Sequence, residues 1–345
     1  MAVLQYTTLY ARTQSHPLPR LCLYAIIGAL GKRRGMTVQT ARIDETACAI
    51  LSLTTHLAWL EGMPQPMPRT VLHRMLKTGA LSGLVLRDMP GIDEKWFERA
   101  RLLLTRVNAV AERMEAYHSA GYELLLPSDA RWPHALRVLG GNEPPFLYVK
   151  GNAALLNRRR LSVAGSRRIL AETQLAARKT GAMIAADGAM LVTGGAAGVD
   201  TAALRGALEA GGCAAVVPAK PAARVMDSRA VCAALERGDL LLVCDSLPDE
   251  PFSAAKALCR NHTIYALGEC SLVVAARDGM GGSWRGATDC LRGGFSPVYV
   301  WNGRNADTAG NRALEALGAG SYSLRAPLGA QLAERPVQTS LFEGG

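Results

Sequence analysis

Aromatic residues are scarce in this chain: five Phe, five Trp and nine Tyr make up 6% of its 345 residues. A long stacking platform for bases is therefore not expected, although a few stacking positions remain open. Paired cysteines are missing too. Cys22, Cys48, Cys213, Cys232, Cys244, Cys259, Cys270 and Cys290 form no C-x-x-C pair. Several lie in apolar runs and read as small buried hydrophobes of a reducing compartment, rather than as a disulfide framework or a zinc site. The apolar run 21–30 is too short to span a bilayer. Lys32, Arg33 and Arg34 follow that run instead of preceding it, and no cleavage pattern comes after them. A cytoplasmic protein without membrane association is expected.

The common nucleotide fingerprints are absent as well. Neither G-x-G-x-x-G nor G-x-x-x-x-G-K-[ST] occurs, which argues against a nicotinamide dehydrogenase and a P-loop NTPase. No serine, histidine and aspartate stand at a nucleophile elbow, and no clustered carboxylate pair suggests a metal site. His16, His56, His73, His118, His134 and His262 are scattered. No catalytic residue, metal or cofactor is assigned.

What the chain does have is positive charge. Its 39 Lys and Arg exceed its 29 Asp and Glu, a net charge of +10. Such an excess favours a polyanionic partner. Hydrophobic residues at 49% and charged residues at 20% suit a folded, globular chain with a sizeable core.

The first 35 residues match nothing downstream in style, and residues 1–43 read as an N-terminal extension. Gly31–Met36 reads Gly-Lys-Arg-Arg-Gly-Met, whose codons can spell a ribosome-binding site ahead of a natural start at Met36. A structured N-terminal arm is the competing reading. Residues 44–118 read as a helical accessory domain, with Ala47, Ile50, Leu51, Leu57 and Leu60 on one apolar face. Within it, Met89-Pro-Gly-Ile92 is either an ordinary helical turn or the hairpin of a helix-hairpin-helix, SAM-like unit.

Residues 119–303 read as a Rossmann-like domain. Strands are expected at Tyr122–Leu126 and Pro144–Val149, then at 161–164, 189–193, 213–217, 239–244, 270–276 and 297–301. Helices are expected at 169–187, 199–210, 226–237, 253–267 and 285–293. Alternation of this kind predicts an α/β, doubly wound, mainly parallel sheet covered on both faces. Residues 304–345 turn polar and Gly/Ala-rich and read as a tail.

In such a sheet, ligands bind at the carboxyl ends of the strands. Two strand-to-helix turns there are opened by small residues: Gly165, Ser166 and Arg167, then Gly194, Gly195, Gly198 and Asp200. Small residues let the backbone approach a ligand, and helix N-termini behind them favour an anion, so the pair reads as a phosphate ledge. Arg167 suits a bidentate phosphate contact. Asp200 reads as a structural brace or cap. Arg277, Gly282 and Ser283 belong to a later loop at the same edge. Lys256, Arg260, Asn261 and His262 add donors, expected near the last strand pair. Lys256 and Arg260 share a helical face, which a solvated basic surface would explain equally well. Near the C-terminus, Gln338, Leu341 and Phe342 resemble the short peptide that docks bacterial proteins on the replicative sliding clamp; a free tail is the alternative.

These landmarks, taken in order and spacing, resemble the DNA-processing protein A (DprA/Smf) family between about Tyr122 and Trp301. They are Trp132-Pro-His-Ala-Leu136, Pro144-Pro-Phe-Leu-Tyr-Val-Lys-Gly-Asn152, Val163-Ala-Gly-Ser-Arg167, Gly194-Gly-Ala-Ala-Gly-Val-Asp200, Ala207-Leu-Glu-Ala-Gly-Gly212 and Arg260-Asn-His-Thr-Ile264. The resemblance implies an extended Rossmann-like fold that binds single-stranded DNA, protects it and helps load a RecA-type recombinase, in natural transformation or mobile-element DNA uptake. It also implies a homodimer without catalytic turnover. Gly165, Ser166 and Arg167 match the family's phosphate-contacting turn. Arg260 and Asn261 match its Arg-Asn-Arg segment, with His262 at the second arginine, and Gly282 and Ser283 match its Ser-Gly-Ser loop. The chain departs from the family at Ala197, Leu204, Ala275 and Gly286, where arginine, histidine, an acid and threonine are usual. No Tyr-Pro follows the third strand within Pro218–Asp227. A nucleotide-binding sensor, or a nucleotide phosphoribohydrolase on a related fold, remains the alternative function; the hydrolase would need a positioned acid or base near a glycine loop.

Overall fold

The computed structural model describes residues 45–56, 63–79 and 92–332. The N-terminal extension, the Met36 start, most of the Met89–Ile92 hairpin and the Gln338, Leu341 and Phe342 peptide lie outside the described residues. The chain divides into two compact units, Met1–Ser119 and Ala120–Gly345.

In the first unit the described elements are four helices: α1 (Glu45–Thr54), α2 (Arg69–Gly79), α3 (Glu94–Leu104) and α4 (Val107–Ser119). Each turns an apolar stripe inward. Ala47, Ile50 and Leu51 of α1, Leu72 and Met75 of α2, Phe97 and Leu103 of α3, and Val110 and Met114 of α4 are buried. The last carbonyls of α1 have no partner within their own helix. Arg106 meets that need: its Nε donates to the Ser52 carbonyl at 2.9 Å, and its guanidinium also reaches the Thr55 carbonyl. Burial lowers the Arg106 pKa to about 10, which leaves it charged at neutral pH.

The second unit is built on one nine-stranded sheet. Its strands are β1 (Glu123–Leu125), β2 (Leu147–Gly151), β3 (Arg160–Gly165), β4 (Met190–Thr193), β5 (Ala214–Val216), β6 (Leu240–Cys244), β7 (Cys270–Ala275), β8 (Val298–Trp301) and β9 (Gly320–Tyr322). Their order across the sheet is β1-β2-β6-β5-β4-β3-β7-β8-β9. β2 pairs antiparallel with β1 and β6, and every other pairing is parallel. The main helices are α5 (Ala171–Ala186), α6 (Val199–Glu209), α7 (Arg229–Arg237), α8 (Ala254–Leu267), α9 (Gly281–Gly293) and α10 (Ala309–Ala316). The doubly wound α/β architecture expected from the alternating pattern is present. The central strands read as unbroken apolar runs because helices cover both faces, and Met190–Thr193, Leu240–Cys244 and Cys270–Ala275 are buried throughout.

Residues 304–332 correct one expectation. Their polar, Gly/Ala-rich composition suggests a tail, yet α10 and β9 complete the sheet. β9 pairs with β8 through Tyr299–Gly320, Val300–Ser321 and Trp301–Tyr322. Tyr322 is buried, and its hydroxyl lies 3.0 Å from the Thr180 hydroxyl of α5. Asn311 of α10 is buried; its Nδ2 donates to the Val274 and Trp301 carbonyls, and its Oδ1 accepts from the Ala276 amide, each at 3.0 Å. One amide side chain thus ties together the ends of β7 and β8.

The topology locates the functional edge. From β3 the chain winds outward through β4, β5 and β6. It then crosses back along α8 to β7, on the other side of β3, and winds outward again. The turns after β3 and β7 diverge, and a crevice opens between them.

Candidate nucleic-acid interface

A cleft of about 1170 Å³ opens at that switch point. Its walls come from the turn after β3 (Gly165, Ser166, Arg167, Arg168), the loop between β7 and α9 (Arg277, Gly279, Met280), the first turn of α9 and one face of α8. Six arginines line it, Arg167, Arg168, Arg260, Arg277, Arg285 and Arg292, against two acids, Asp200 and Asp289. Arg167, Arg168 and Arg277 stand on the loops after β3 and β7, and Arg260, Arg285 and Arg292 stand on α8 and α9. α9 begins in the cleft at Gly281, Gly282 and Ser283, so the positive end of its dipole adds to that charge.

The two small-residue turns act differently from the ledge expected of them. They brace each other. The Ser166 amide and hydroxyl both donate to the Ala275 carbonyl, at 2.9 and 3.3 Å. The Ser166 carbonyl accepts from the Val199 amide at 3.2 Å. Gly198, at φ 85°, lies so close that a Cβ there would run into the Ser166 and Arg167 carbonyls. The helix behind the first turn is also occupied at its N-terminus, where the Leu170 amide donates to the Asp307 carboxylate at 2.6 Å. Gly194, Gly195 and Gly198 do not reach the cleft wall; Ala196 and Asp200 do. The cation set comes from side chains that project past this scaffold.

Beneath the cleft lies a buried charge pair. Arg260 is 4% exposed and Asp200 is 6% exposed. Gly194 makes room for them: a Cβ at that position would strike the Arg260 guanidinium and approach Asp200 Oδ2 to 2.8 Å. Asp200 Oδ2 accepts from the Ala196 amide at 3.3 Å. Burial pushes the Asp200 pKa up to about 6, against the pull of Arg260 and the amides of Ala196 and Gly194. Burial also lowers the Arg260 pKa, opposed by Asp200 and Asp245. The Nε of Arg260 is buried without a hydrogen-bond partner. Asp200 thus holds the Ala196 amide, and Arg260 is a counter-charge beside it. Arg260 therefore sits under the turn after β4, not at the last strand pair.

Other expected donors separate. Lys256 does not line the cleft; its Nζ donates to the Glu250 carbonyl at 3.0 Å and lies 3.9 Å from the Glu250 carboxylate. Burial lowers its pKa. Lys256 and Arg260 thus form neither a solvated basic face nor a joint phosphate site. His262 also turns away, placing its Nε2 3.0 Å from Asp289 and its ring edge-on to Phe295. Asn261 does line the cleft, and its Nδ2 donates to the Gly282 carbonyl at 3.2 Å, which fixes the start of α9.

The departures acquire physical reasons. A Cβ at Gly286 would lie 2.8 Å from the buried Tyr265 ring, so Tyr265 fills the volume a threonine would need. Ala275 is fully buried beneath Ser166, and Leu204 joins the core. Ala197 is exposed and leaves no side chain over the second turn. Sequence reasoning missed Arg168, Phe252, Met280, Trp284, Arg285 and Arg292, all of which line the cleft. Arg285 and Arg292 carry a signal in retrospect: both stand on the helix that follows the Gly-rich loop. Phe252 had none, because only the return of α8 toward β7 brings it to the wall.

The sequence model of the DNA recombination-mediator protein A family matches residues 123–325. The chain belongs to that family. The match spans the whole sheet, from β1 to β9. Among solved structures, the chain is similar to DNA processing protein A from Streptococcus pneumoniae, at 21% identity and a TM-score of 0.53, over 74% of this chain and 95% of that one. DNA processing protein A from Helicobacter pylori, whose structure describes single-stranded DNA binding, matches at 21% identity and a TM-score of 0.51, over 61% of this chain and 94% of that one. At that identity both show a shared fold. No curated protein matches. Family membership carries a DNA-processing role. Among the described residues no helix is long and apolar enough to cross a membrane, and no group of His, Cys, Asp and Glu is placed to hold a metal ion.

Proposed function

We propose that this protein binds single-stranded DNA in the switch-point cleft, shields it, and helps a RecA-type recombinase assemble on it, without turning over a substrate. The observation that carries this reading is the convergence of five exposed arginines, Arg167, Arg168, Arg277, Arg285 and Arg292, and the start of α9 on one open cleft containing only two acids. Arginines in that number fit a run of phosphates better than one small anion. The partners assigned are single-stranded DNA, the recombinase, a second copy of this chain and, through Gln338, Leu341 and Phe342, the sliding clamp; the setting is the cytoplasm, in transformation or mobile-element DNA uptake. The test is a gel-shift series with oligo-dT, duplex and free nucleotides at two salt concentrations. Wild type is expected to bind oligo-dT, more weakly at the higher salt, and Arg167→Ala to bind it several-fold more weakly. Equal binding by Arg167→Ala sinks the assignment of that residue, and no binding of oligo-dT sinks the reading.

One observation favours a nucleotide hydrolase as the second reading: Asp200 lines the cleft beside a glycine loop with a pKa near 6, a value suited to acid–base work. Its hydrogen bond from the Ala196 amide and the nearby charge of Arg260 argue that it holds the loop. Release of free base from nucleoside monophosphates, abolished by Asp200→Asn, would bring the hydrolase forward.

A further inference from the structure

Two large apolar side chains stand open in the cleft. Phe252 is 51% exposed and Met280 is 61% exposed, and both belong to the wall that carries the arginines. Among the described residues, Phe252 is the one aromatic ring in the set of exposed large hydrophobic side chains. It precedes α8, whose first turn is capped by the Ser253 hydroxyl accepting from the Lys256 amide at 3.1 Å. That cap holds the ring's anchor in place. The Arg167 guanidinium lies over the ring at 5.8 Å from its centroid.

An exposed ring costs solvation, and a ring beside a guanidinium in a cationic cleft has a specific use. Phosphates on both sides of a nucleotide can engage arginines while its base seeks an apolar, polarisable face. Every base offers such a face, but only when it is unstacked from its neighbours. A duplex presents the same phosphates with its bases paired and stacked, so the ring finds nothing to hold. Arginine contacts respond to both forms, and an aromatic contact responds to one.

We propose that Phe252 is the specificity-determining residue by which the cleft distinguishes single strands from duplexes, stacking on one unpaired base while Arg167 engages an adjacent phosphate. Met280 supplies a second, adaptable apolar contact. This rests on the reading of the cleft as a single-stranded DNA site and assigns to its base-binding part a residue that charge alone does not reveal.

The test measures affinity of the full chain for three probes of equal length: oligo-dT, an oligomer of abasic sites and a duplex. Wild type is expected to bind oligo-dT about tenfold more tightly than the abasic strand, within the range of one stacked base. Phe252→Ala should bring oligo-dT down to the abasic value and leave abasic and duplex binding within about twofold of wild type. Phe252→Trp should restore the preference, whereas Phe252→Leu, apolar but without a ring, should not. Arg277→Ala should weaken all three probes together. The proposal is overturned if wild type binds the abasic strand as well as oligo-dT, or if Phe252→Ala keeps the preference. Loss of self-association in sedimentation, with the base preference intact, would instead assign the ring to a contact between copies. If wild type binds neither strand, it is the DNA-binding reading itself that has failed.

Discussion

Asp200 holds a carboxylate where its charge is costly, and the cost has a sign. Its pKa rises from 3.8 to about 6 on burial. Between those values the folded chain holds more protons than the unfolded one, so stability falls as pH rises through that window and levels off above it. A shift of about two units corresponds to about 3 kcal/mol at roughly 1.4 kcal/mol per unit. Asp200→Asn should flatten this part of the profile; urea unfolding at pH 4.5 and 7.5 checks it, and an unchanged slope refutes it. The same proton alters the cleft. Below about pH 6 Asp200 becomes neutral, and Arg260 keeps only Asp245 of its two acidic neighbours. Affinity for oligo-dT should then rise by about threefold to fivefold from pH 7.5 to pH 5 at fixed ionic strength, the scale of one charge near a phosphate in water. Asp200→Asn should lack that rise.

At the scale of elements, the cleft depends on a helix that contributes no side chain to its wall. α10 grips the end of β7 through Asn311 and through the Gly310 amide, which donates to the Ala276 carbonyl at 2.8 Å. The loop carrying Arg277 leaves from that grip. Asn311→Ala would orphan the Ala276 amide and the Val274 and Trp301 carbonyls, all buried behind α10. A loss of about 2–4 kcal/mol is expected, read from the denaturation midpoint at constant slope. Weaker DNA binding should accompany it under conditions where the variant remains folded. A loss below about 0.5 kcal/mol, the scale of an ordinary surface change, would show that the grip is dispensable.

For the whole molecule, a net charge of +10 and a cleft of arginines make binding a counterion-release process. The logarithm of the association constant for oligo-dT should fall linearly with the logarithm of salt, by about 0.7 for each phosphate neutralised on a single strand. Arg277→Ala should reduce that slope by about 0.7 and Phe252→Ala should leave it unchanged. Titrations between 50 and 300 mM salt, on the order of the range over which such slopes are read, separate the two. A wild-type slope near zero would remove phosphate contacts as the source of affinity.

Much of this was present in the chain before it folded. Alternating apolar runs and amphipathic stretches determine the doubly wound sheet, because period and length are local properties. The turn Gly165-Ser166-Arg167, the pair Arg260-Asn261 and the loop at Gly282-Ser283 mark the functional edge by composition and order. Only the tertiary structure decided what each does there. It spent the donors of Ser166 on Ala275, buried Arg260 against Asp200, gave Lys256 to Glu250 and His262 to Asp289, and drew Arg285, Arg292 and Phe252 into one wall. A residue's type states which contacts it could make. Which of them it makes depends on neighbours that are distant in the chain, and those are assigned only when β7 lies down beside β3.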